Sequence, residues 1–385
     1  MGDCSPLPRQ GEGLGAVGIK GPHGRRERAI PETQPAGREN GARRSRRITH
    51  RDVARRAGVS PAVVSYVVNG GPRSTSAETR DRVLQAIQEL GYHPNAAARG
   101  LRIQRTQTIG FVDSDYSPLD VYVSPYSAGI LTGLTAELAA NEHHLLISPL
   151  LVGQDLGPLQ RILRGGRLDG VVVRLVEDSK AADALLEMIR ETGTPCVCIE
   201  RPVDPRFGFG SVVVDDESGA FEATSYLIDR GHGRIAHLAG DRRYASALAR
   251  RAGYERALSA GRLPLDPALV EVESWAPLAV DAALERLRAL AEPPTALFAA
   301  NDSLAFRAVE LSRAAGRRVP EDLAVIGFDD IPLAREMVPP LTTVQIPLNE
   351  VGRLAARHLL DLIERDEAPP TTEILPVQVV RRGTA

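Results

Sequence analysis

From Thr108 to the C-terminus, short apolar runs typical of β-strands alternate with amphipathic stretches typical of helices. Predicted strands cover residues 108–113, 144–150, 169–175, 195–200, 210–216, 234–239, 295–300 and 323–328, with a last strand at 374–381. Predicted helices include residues 127–141, 181–192, 218–230, 277–291 and 301–315. This order is typical of parallel sheets with crossover helices, and the strands suffice for two doubly wound lobes. Because such sheets bind ligands at the carboxyl ends of their strands, two facing lobes would form a binding cleft.

Ahead of the strands, three short helical stretches predict an all-α helix-turn-helix unit. The first is capped by Thr49 and ends at Gly58, the second is capped by Ser60, and the third runs from Ser76 to Gly91. A Gly-Val turn joins the first two helices. A unit of this kind favours DNA binding, since its second helix can enter a major groove.

The distribution of charge supports the same function. The formal net charge is −2, but residues 43–105 contain thirteen arginines and only four acidic residues. A local excess of cations adds the counterion-release contribution that dominates non-specific DNA affinity. The alternative is a solvated charged face. Residues 1–47, rich in Gly, Pro and Arg, predict a disordered basic tail, either an arm that grips DNA or a product of a start codon placed too far upstream.

The same sequence argues against several other classes of protein. Three cysteines in 385 residues predict neither a disulfide framework nor a metal site, and no stretch is long and apolar enough for a membrane span or a secretory leader. We therefore expect a reducing cytoplasm. No Ser-His-Asp, Cys-His or HExxH spacing and no glycine-rich phosphate loop is present, so we predict no catalytic residues, no metal and no cofactor.

Two runs carry a resemblance to a known family. ITHRDVARRAGVSPAVVSYVVNG, followed by STSAETRDRVLQAIQELGYHPNAAARGLR, resembles the headpiece and hinge of LacI/GalR-type repressors. The resemblance continues in the family's order through GFVDSD, LDGVVV, RGHGRIAHLAG, RRAGY, FAANDSLA, VPEDLAVIGFDD and PPLTTV. It therefore covers the chain from Ile48 to the C-terminus.

The resemblance implies a helix-turn-helix headpiece and a periplasmic-binding-protein-like α/β domain built from two doubly wound parallel-sheet lobes. The implied division is a tail at 1–47, a DNA-binding domain at 48–93, a hinge helix and linker at 94–107, and a bilobal effector-binding and dimerisation domain at 108–385. Apolar helices of this last domain, such as 127–139, are the predicted dimer surface.

We predict that DNA contacts come from the headpiece and the hinge. The start of the second helix should face base edges, and nearby hydroxyl and amide groups should contact phosphates. The full predicted set is Thr49, Ser60, Pro61, Ala62, Val63, Ser65, Tyr66, Asn69, Tyr92, Asn95, Ala98 and Leu101. The resemblance implies that Leu101 is an apolar wedge that unstacks one base step, with Asn95 and Ala98 beside it. For Val63 the alternative is packing within the headpiece core.

We predict that a small effector binds at the strand ends of the cleft. The predicted contacts are Asp113, Tyr126, Glu200, Arg250, Trp275, Asn301 and Asp329. Carboxylates, an amide, a guanidinium and flat aromatic faces suit the hydroxyls and ring of a carbohydrate. The alternatives are a helix cap for Asn301, a turn for Asp329, a solvated helix position for Arg250 and core packing for Trp275; the resemblance favours effector contacts for the first three.

These expectations combine into a homodimeric regulator, most simply a repressor, that binds double-stranded operator DNA under the control of a small effector. Whether the effector releases or strengthens DNA binding stays open. A ligand-binding protein without a DNA role is the first alternative, although it predicts a signal peptide and no headpiece. An enzyme that uses the acidic and histidine side chains of the cleft is the second.

Overall fold

The computed structural model describes residues 48–69, 75–92, 105–113, 124–149, 155–175, 180–272, 274–365 and 371–385. The chain divides into two compact units, residues 1–93 and residues 94–385. Within the described residues, no helix is long and apolar enough to cross a membrane.

The first unit is a bundle of three helices, α1 (His50–Ala57), α2 (Pro61–Asn69) and α3 (Ala77–Leu90). Gly58 ends α1 with φ of 66°, a left-handed conformation that glycine adopts without strain. Val53, Val64 and Val83, one from each helix, are fully buried together. The predicted helix-turn-helix unit is present, and its core accounts for the valine-rich face of α2.

The first lobe of the second unit is a six-stranded parallel sheet in the order β11-β5-β4-β3-β1-β2. Its strands are β1 (Thr108–Asp113), β2 (His144–Pro149), β3 (Gly170–Arg174), β4 (Cys196–Ile199), β5 (Gly210–Val214) and β11 (Thr372–Leu375). Its helices are α4 (Pro125–Ala140) and α12 (Leu348–Arg365) on one face, and α5 (Gly157–Arg164) and α6 (Lys180–Glu191) on the other.

The second lobe repeats this plan with the order β12-β10-β9-β8-β6-β7, in which only β12 is antiparallel. Its strands are β6 (Ile235–Leu238), β7 (Val270–Glu271), β8 (Ala296–Ala299), β9 (Ala324–Asp329), β10 (Thr342–Gln345) and β12 (Gln378–Val380). Helices α7 (Asp216–Asp229) and α8 (Ala245–Ala260) cover one face, α9 (Ala279–Arg288) and α10 (Asp302–Ala314) cover the other, and α11 (Leu333–Glu336) follows β9.

The chain passes between the lobes three times. It leaves the first sheet after β5, returns after β10 to form α12, and leaves again after β11. Short connections of this kind can absorb a change in the angle between two lobes.

The eight internal strands predicted from sequence are all present, and their ends agree to within two residues. The prediction of one continuous strand at 374–381 is wrong. Residues 372–375 and 378–380 belong to different sheets, and Pro376, which has no N–H for a ladder, lies at the crossing.

Helices such as 127–139 stay the predicted dimer surface, but the apolar face of α4 is not available to a partner. That face of α4 packs on α12 within the same chain and buries Ile130, Leu134 and Leu138. The outward positions of α4 are small or polar, such as Thr132 and Ala136. The apolar side of α4 therefore belongs to the core of its own lobe.

Candidate functional site

Thr49 is held in place at the start of α1 by hydrogen bonds to Asp52. The side chain of Asp52 accepts hydrogen bonds from the Thr49 amide at 2.9 Å and from the Thr49 hydroxyl at 2.7 Å. The hydroxyl proton of Thr49 is thus used at the helix terminus, and a phosphate contact by this hydroxyl, which stays a prediction, would have to displace Asp52.

Helix α2 presents its first residues to the surface. Pro61 and Ala62 are exposed, Val63, Ser65 and Tyr66 are half-buried, and Val64 and Val67 face the core. Ala62 and Tyr66 recur at helical spacing along one outward side, and Asn69 is the last residue of the helix. The Ser60 hydroxyl accepts a long hydrogen bond of 3.4 Å from the Val63 amide. This exposed N-terminal face is the one expected to meet base edges.

Tyr92 lies in the core of the headpiece and is only 5% exposed. Its hydroxyl is 3.3 Å from Nδ1 of His50, and burial raises the pKa of this phenol. Packing accounts for the position of Tyr92, while its DNA contact stays a prediction. Asn95, Ala98 and Leu101 lie outside the described residues.

In the first lobe, three charged side chains meet at the carboxyl edge of the sheet. Parallel pairing places Asp113, the last residue of β1, beside Arg174, the last residue of β3. The Arg174 guanidinium donates to Asp113 at 3.1 Å and to Glu200, which follows β4, at 3.3 Å. We call Asp113, Arg174 and Glu200 the first triad.

The second lobe carries a matching group. Nε of Arg250 donates to Asp216 at 2.8 Å, and Nη1 donates to Asp329 at 3.2 Å and to the Ala300 carbonyl oxygen at 2.5 Å. The guanidinium carbon lies 3.9 Å from the centre of the Phe328 ring. We call Asp216, Arg250 and Asp329, all buried, the second triad.

Tyr126, at the start of α4, connects the two triads. It hydrogen-bonds to Glu200 and packs against the hydrophobic clusters of both lobes. Burial, together with the negative charges of Glu200, Asp216 and Asp329, raises the pKa of Tyr126 well above its ordinary value. Tyr126 therefore lies within electrostatic range of acids from both triads.

Trp275 supplies a flat apolar wall in the second lobe. Its ring meets Tyr244 edge to face at 5.6 Å and lies 6.0 Å from the Arg250 guanidinium. A Cβ atom on Gly240 would come within 2.2 Å of the Trp275 ring, so only glycine leaves the indole its place. The indole Nε1 is buried without a hydrogen-bond partner among the described residues.

Two of these residues have a strained backbone conformation. Glu200 has φ of 82° and Asp329 has φ of 113°, in a region that residues with a side chain rarely adopt. Such strain persists only where the surroundings hold it, and it is common at ligand sites.

Asn301 caps α10, as the alternative interpretation expected. Its Oδ1 accepts from the Leu304 amide at 2.8 Å, so the cap does not use its amide nitrogen. The next residue, Asp302, is buried and accepts from the Thr343 hydroxyl at 2.5 Å and from the Ile331 amide at 2.9 Å. Burial raises the pKa of Asp302 to about 7.

Sequence reasoning missed Arg174 and Asp216. Arg174 is the single charge in the apolar run that ends β3, which is a signal for a residue at a strand end. Asp216 is one of three consecutive acids at the start of α7, where helix capping explains an acid equally well. No cluster of three or more metal-ligating side chains occurs in the part of the chain that is described.

The fold and the cleft define a class of protein, a helix-turn-helix regulator joined to a bilobal ligand-binding unit. Two family models match the chain, one for bacterial regulatory proteins of the lacI family at residues 49–95 and one for a periplasmic binding protein-like domain at residues 224–385. The HTH-type transcriptional regulator CelR of Thermobifida fusca is 36% identical over 340 residues, which cover 88% of this chain and 98% of CelR.

Solved structures agree with these matches. A complex of the transcriptional regulator CelR with cellobiose has 34% identity and a TM-score of 0.67, over 88% of this chain and 100% of that chain. The Lac repressor dimer bound to operator and the anti-inducer ONPF has 26% identity and a TM-score of 0.76, over 88% of this chain and 98% of that chain. The chain belongs to the lacI family of bacterial regulatory proteins and is a DNA-binding transcriptional regulator.

Proposed function

We propose that a small carbohydrate, bound between the two lobes, controls the affinity of this regulator for its operator. The observation that carries the proposal is the presence of two charged triads within electrostatic range of Tyr126, beside the indole of Trp275. Carboxylates and guanidinium groups suit sugar hydroxyls, and an indole suits the ring. The related regulator CelR has been solved with cellobiose, which supports a saccharide ligand.

We propose that each segment of the chain has its own function. Residues 48–93 bind DNA through the predicted set on the headpiece, residues 94–107 form the hinge, and residues 108–385 bind the effector; residues 1–47 form a basic tail. Asp113, Tyr126, Glu200, Arg250, Trp275, Asn301 and Asp329 contact the effector, and we add Arg174 and Asp216. The relatives are transcriptional regulators, which supports the cytoplasm as the compartment.

We further propose that the protein is a homodimer, because paired headpieces recognise a pseudo-palindrome that one headpiece holds too weakly. The second lobe has a groove of about 540 Å³ between α10 and α11, lined largely by apolar side chains that include Phe306, Leu333, Met337 and Val338. Val338 in this lining is 73% exposed, and Leu278, next to the lining residue Pro277, is 76% exposed. A second copy of this chain is the proposed occupant, and the related Lac repressor was solved as a dimer on its operator.

The decisive experiment is selection of bound duplexes from random DNA with the full chain, followed by operator-release assays with a panel of mono- and disaccharides. We expect one operator class and a sugar that changes its affinity by about 5- to 150-fold, the usual range of allosteric coupling. The direction of that change distinguishes an inducer from a corepressor. No preference for any duplex would instead favour a ligand-binding protein without a DNA role.

Two cleft variants refine the test. We expect Arg250→Ala and Asp329→Ala to retain operator affinity and lose the response to sugar, because both residues lie in the cleft and not in the headpiece. Glu321→Gln, an exposed acid before β9, is the control and should keep both properties. A retained response in both cleft variants would place the effector elsewhere.

A further inference from the structure

Both buried arginines of the cleft are already neutralised by acids. Arg174 is held between Asp113 and Glu200, and Arg250 is held between Asp216 and Asp329. Arg250 donates a further hydrogen bond to the carbonyl oxygen of Ala300. A guanidinium whose charge is already balanced by two carboxylates attracts a phosphate or carboxylate less strongly than an unpaired arginine does.

The acids also outnumber the arginines. The two triads bring four carboxylates and two guanidinium groups together, which gives a formal charge of −2 in a buried space. Burial is the main reason that the pKa of Asp329 is raised well above its ordinary value, and the charges of Asp302, Asp216 and Glu200 raise it further against the opposing effect of Arg250. A site that resists the ionisation of its own acids resists a further negative charge from a ligand.

Other arginines that follow the strands of the two sheets do not offset the excess of acids in the triads. Arg243 is exposed and paired with Asp241. Arg201 and Arg242 have interactions of their own. The stretches that directly follow β1, β2 and β3, residues 114–123, 150–154 and 176–179, contain no lysine or arginine in their sequence.

We propose that the cleft selects for uncharged or cationic saccharides, such as neutral disaccharides and amino sugars, and against sugar phosphates and uronic or aldonic acids. This inference deepens the proposed function and rests on it for the identity of the occupant. The selectivity requires a net negative electrostatic potential in the cleft, and this potential can be measured without any ligand.

Trp275 makes that test direct, because it is the only tryptophan of the chain. Its fluorescence therefore reports on the cleft alone. We would measure quenching of the full chain by iodide, caesium and neutral acrylamide at pH 8 and constant ionic strength, normalised to free N-acetyltryptophanamide. We expect the caesium-to-iodide ratio to exceed that of the free fluorophore by at least about threefold, because a negative potential attracts the cation and repels the anion.

Two variants with the same change in net charge make the test specific. Asp216→Asn removes one acid of the second triad, whose arginine lies 6.0 Å from the Trp275 ring, and should lower the ratio toward that of the free fluorophore. Glu321→Gln removes an exposed acid before β9 and should leave the ratio unchanged. A normalised ratio of one or less in the unaltered chain, or equal shifts in the two variants, would overturn the inference.

A ligand arm separates this inference from the proposed function. Each neutral sugar that alters operator affinity is compared, by calorimetry, with its amino, uronic and 6-phosphate analogues. We expect the anionic analogues to bind at least about tenfold more weakly, which corresponds to about 1.4 kcal/mol. If an anionic analogue binds as tightly as the neutral sugar or more tightly, the proposed charge selectivity is wrong, but a carbohydrate effector is still supported. If no sugar changes operator affinity, the proposed carbohydrate function is wrong, and the quenching ratio still tests whether the cleft has a negative potential.

Discussion

At the scale of the residue, His237 shows how burial fixes a protonation state. It lies in β6, fully buried, with its ring stacked between Tyr254 at 4.9 Å and Phe298 at 4.8 Å. Nδ1 is 3.0 Å from the Phe298 carbonyl oxygen, which assigns the proton to that nitrogen. Burial lowers the pKa of His237 to about 4, so the imidazole is neutral in the folded protein at physiological pH.

This residue predicts an acid sensitivity of the second unit, residues 94–385. The unfolded chain takes up a proton on His237 near pH 6.5 and the folded chain only near pH 4. The stabilising contribution of the neutral ring is therefore complete above pH 6.5 and is lost as the pH falls toward 4, by about 3 kcal/mol. We expect His237→Phe, which keeps the stacking, to become more stable relative to the unaltered chain by about this amount over that range.

The measurement is the free energy of unfolding by urea at several pH values for the unaltered chain, His237→Phe and His144→Gln. His144 is exposed at the start of β2 and serves as the matched control. If the His237→Phe difference stays constant between pH 6.5 and 4, burial does not hold the ring neutral.

At the scale of the element, α4 and α12 of the first lobe approach one another closely through glycines. A Cβ atom on Gly133 would lie 1.8 Å from the Asn349 carbonyl oxygen, and one on Gly352 would lie 2.0 Å from the Ile130 carbonyl oxygen. Each helix thus uses a glycine to let the backbone of the other approach. Because α12 follows a crossover from the second lobe, this contact also anchors one of the three interlobe connections.

Gly133→Ala and Gly352→Ala should each lower the free energy of unfolding by about 1–3 kcal/mol, because backbone atoms must move to admit the methyl group. Gly233→Ala is the control, since a Cβ atom there would meet nothing within 4 Å. Denaturant unfolding of the three variants checks the prediction. Equal stability of all three would show that the helices separate without cost.

At the scale of the whole molecule, the groove on the second lobe should decide whether the protein assembles. Val338 is 73% exposed beside this groove, so Val338→Lys should fold normally but introduce two like charges into the proposed two-fold interface. We expect weaker self-association and, as a consequence, an operator affinity at least about tenfold lower.

Sedimentation across a range of concentrations and operator titration provide the two measurements. Leu265→Lys, at another exposed apolar position that is 47% accessible, is the matched control. If both variants remain dimers with unchanged operator affinity, the interface lies elsewhere on the chain.

Much of the fold could be predicted from the sequence, because burial periodicity is a local property. Apolar runs such as 108–113 and 323–328 identified the strands, and the capping residues Thr49, Ser60 and Ser76 identified the helices of the headpiece. The resemblance carried in the residue order predicted the family. The short strand β10 and the division at Pro376 escaped notice, since a two-lobe crossover leaves no local pattern.

The composition of the cleft is what only the tertiary structure decided. The sequence determined that acids and an arginine follow several strands, but an isolated Asp216 or Arg174 is indistinguishable from a cap or a solvated charge. Strand register brings Asp113 and Arg174 to one edge, and the packing of α7 against α8 accompanies the pairing of Asp216 with Arg250. Electrostatic pairing acts through space over a few ångströms, so it depends on which distant segments the fold makes neighbours.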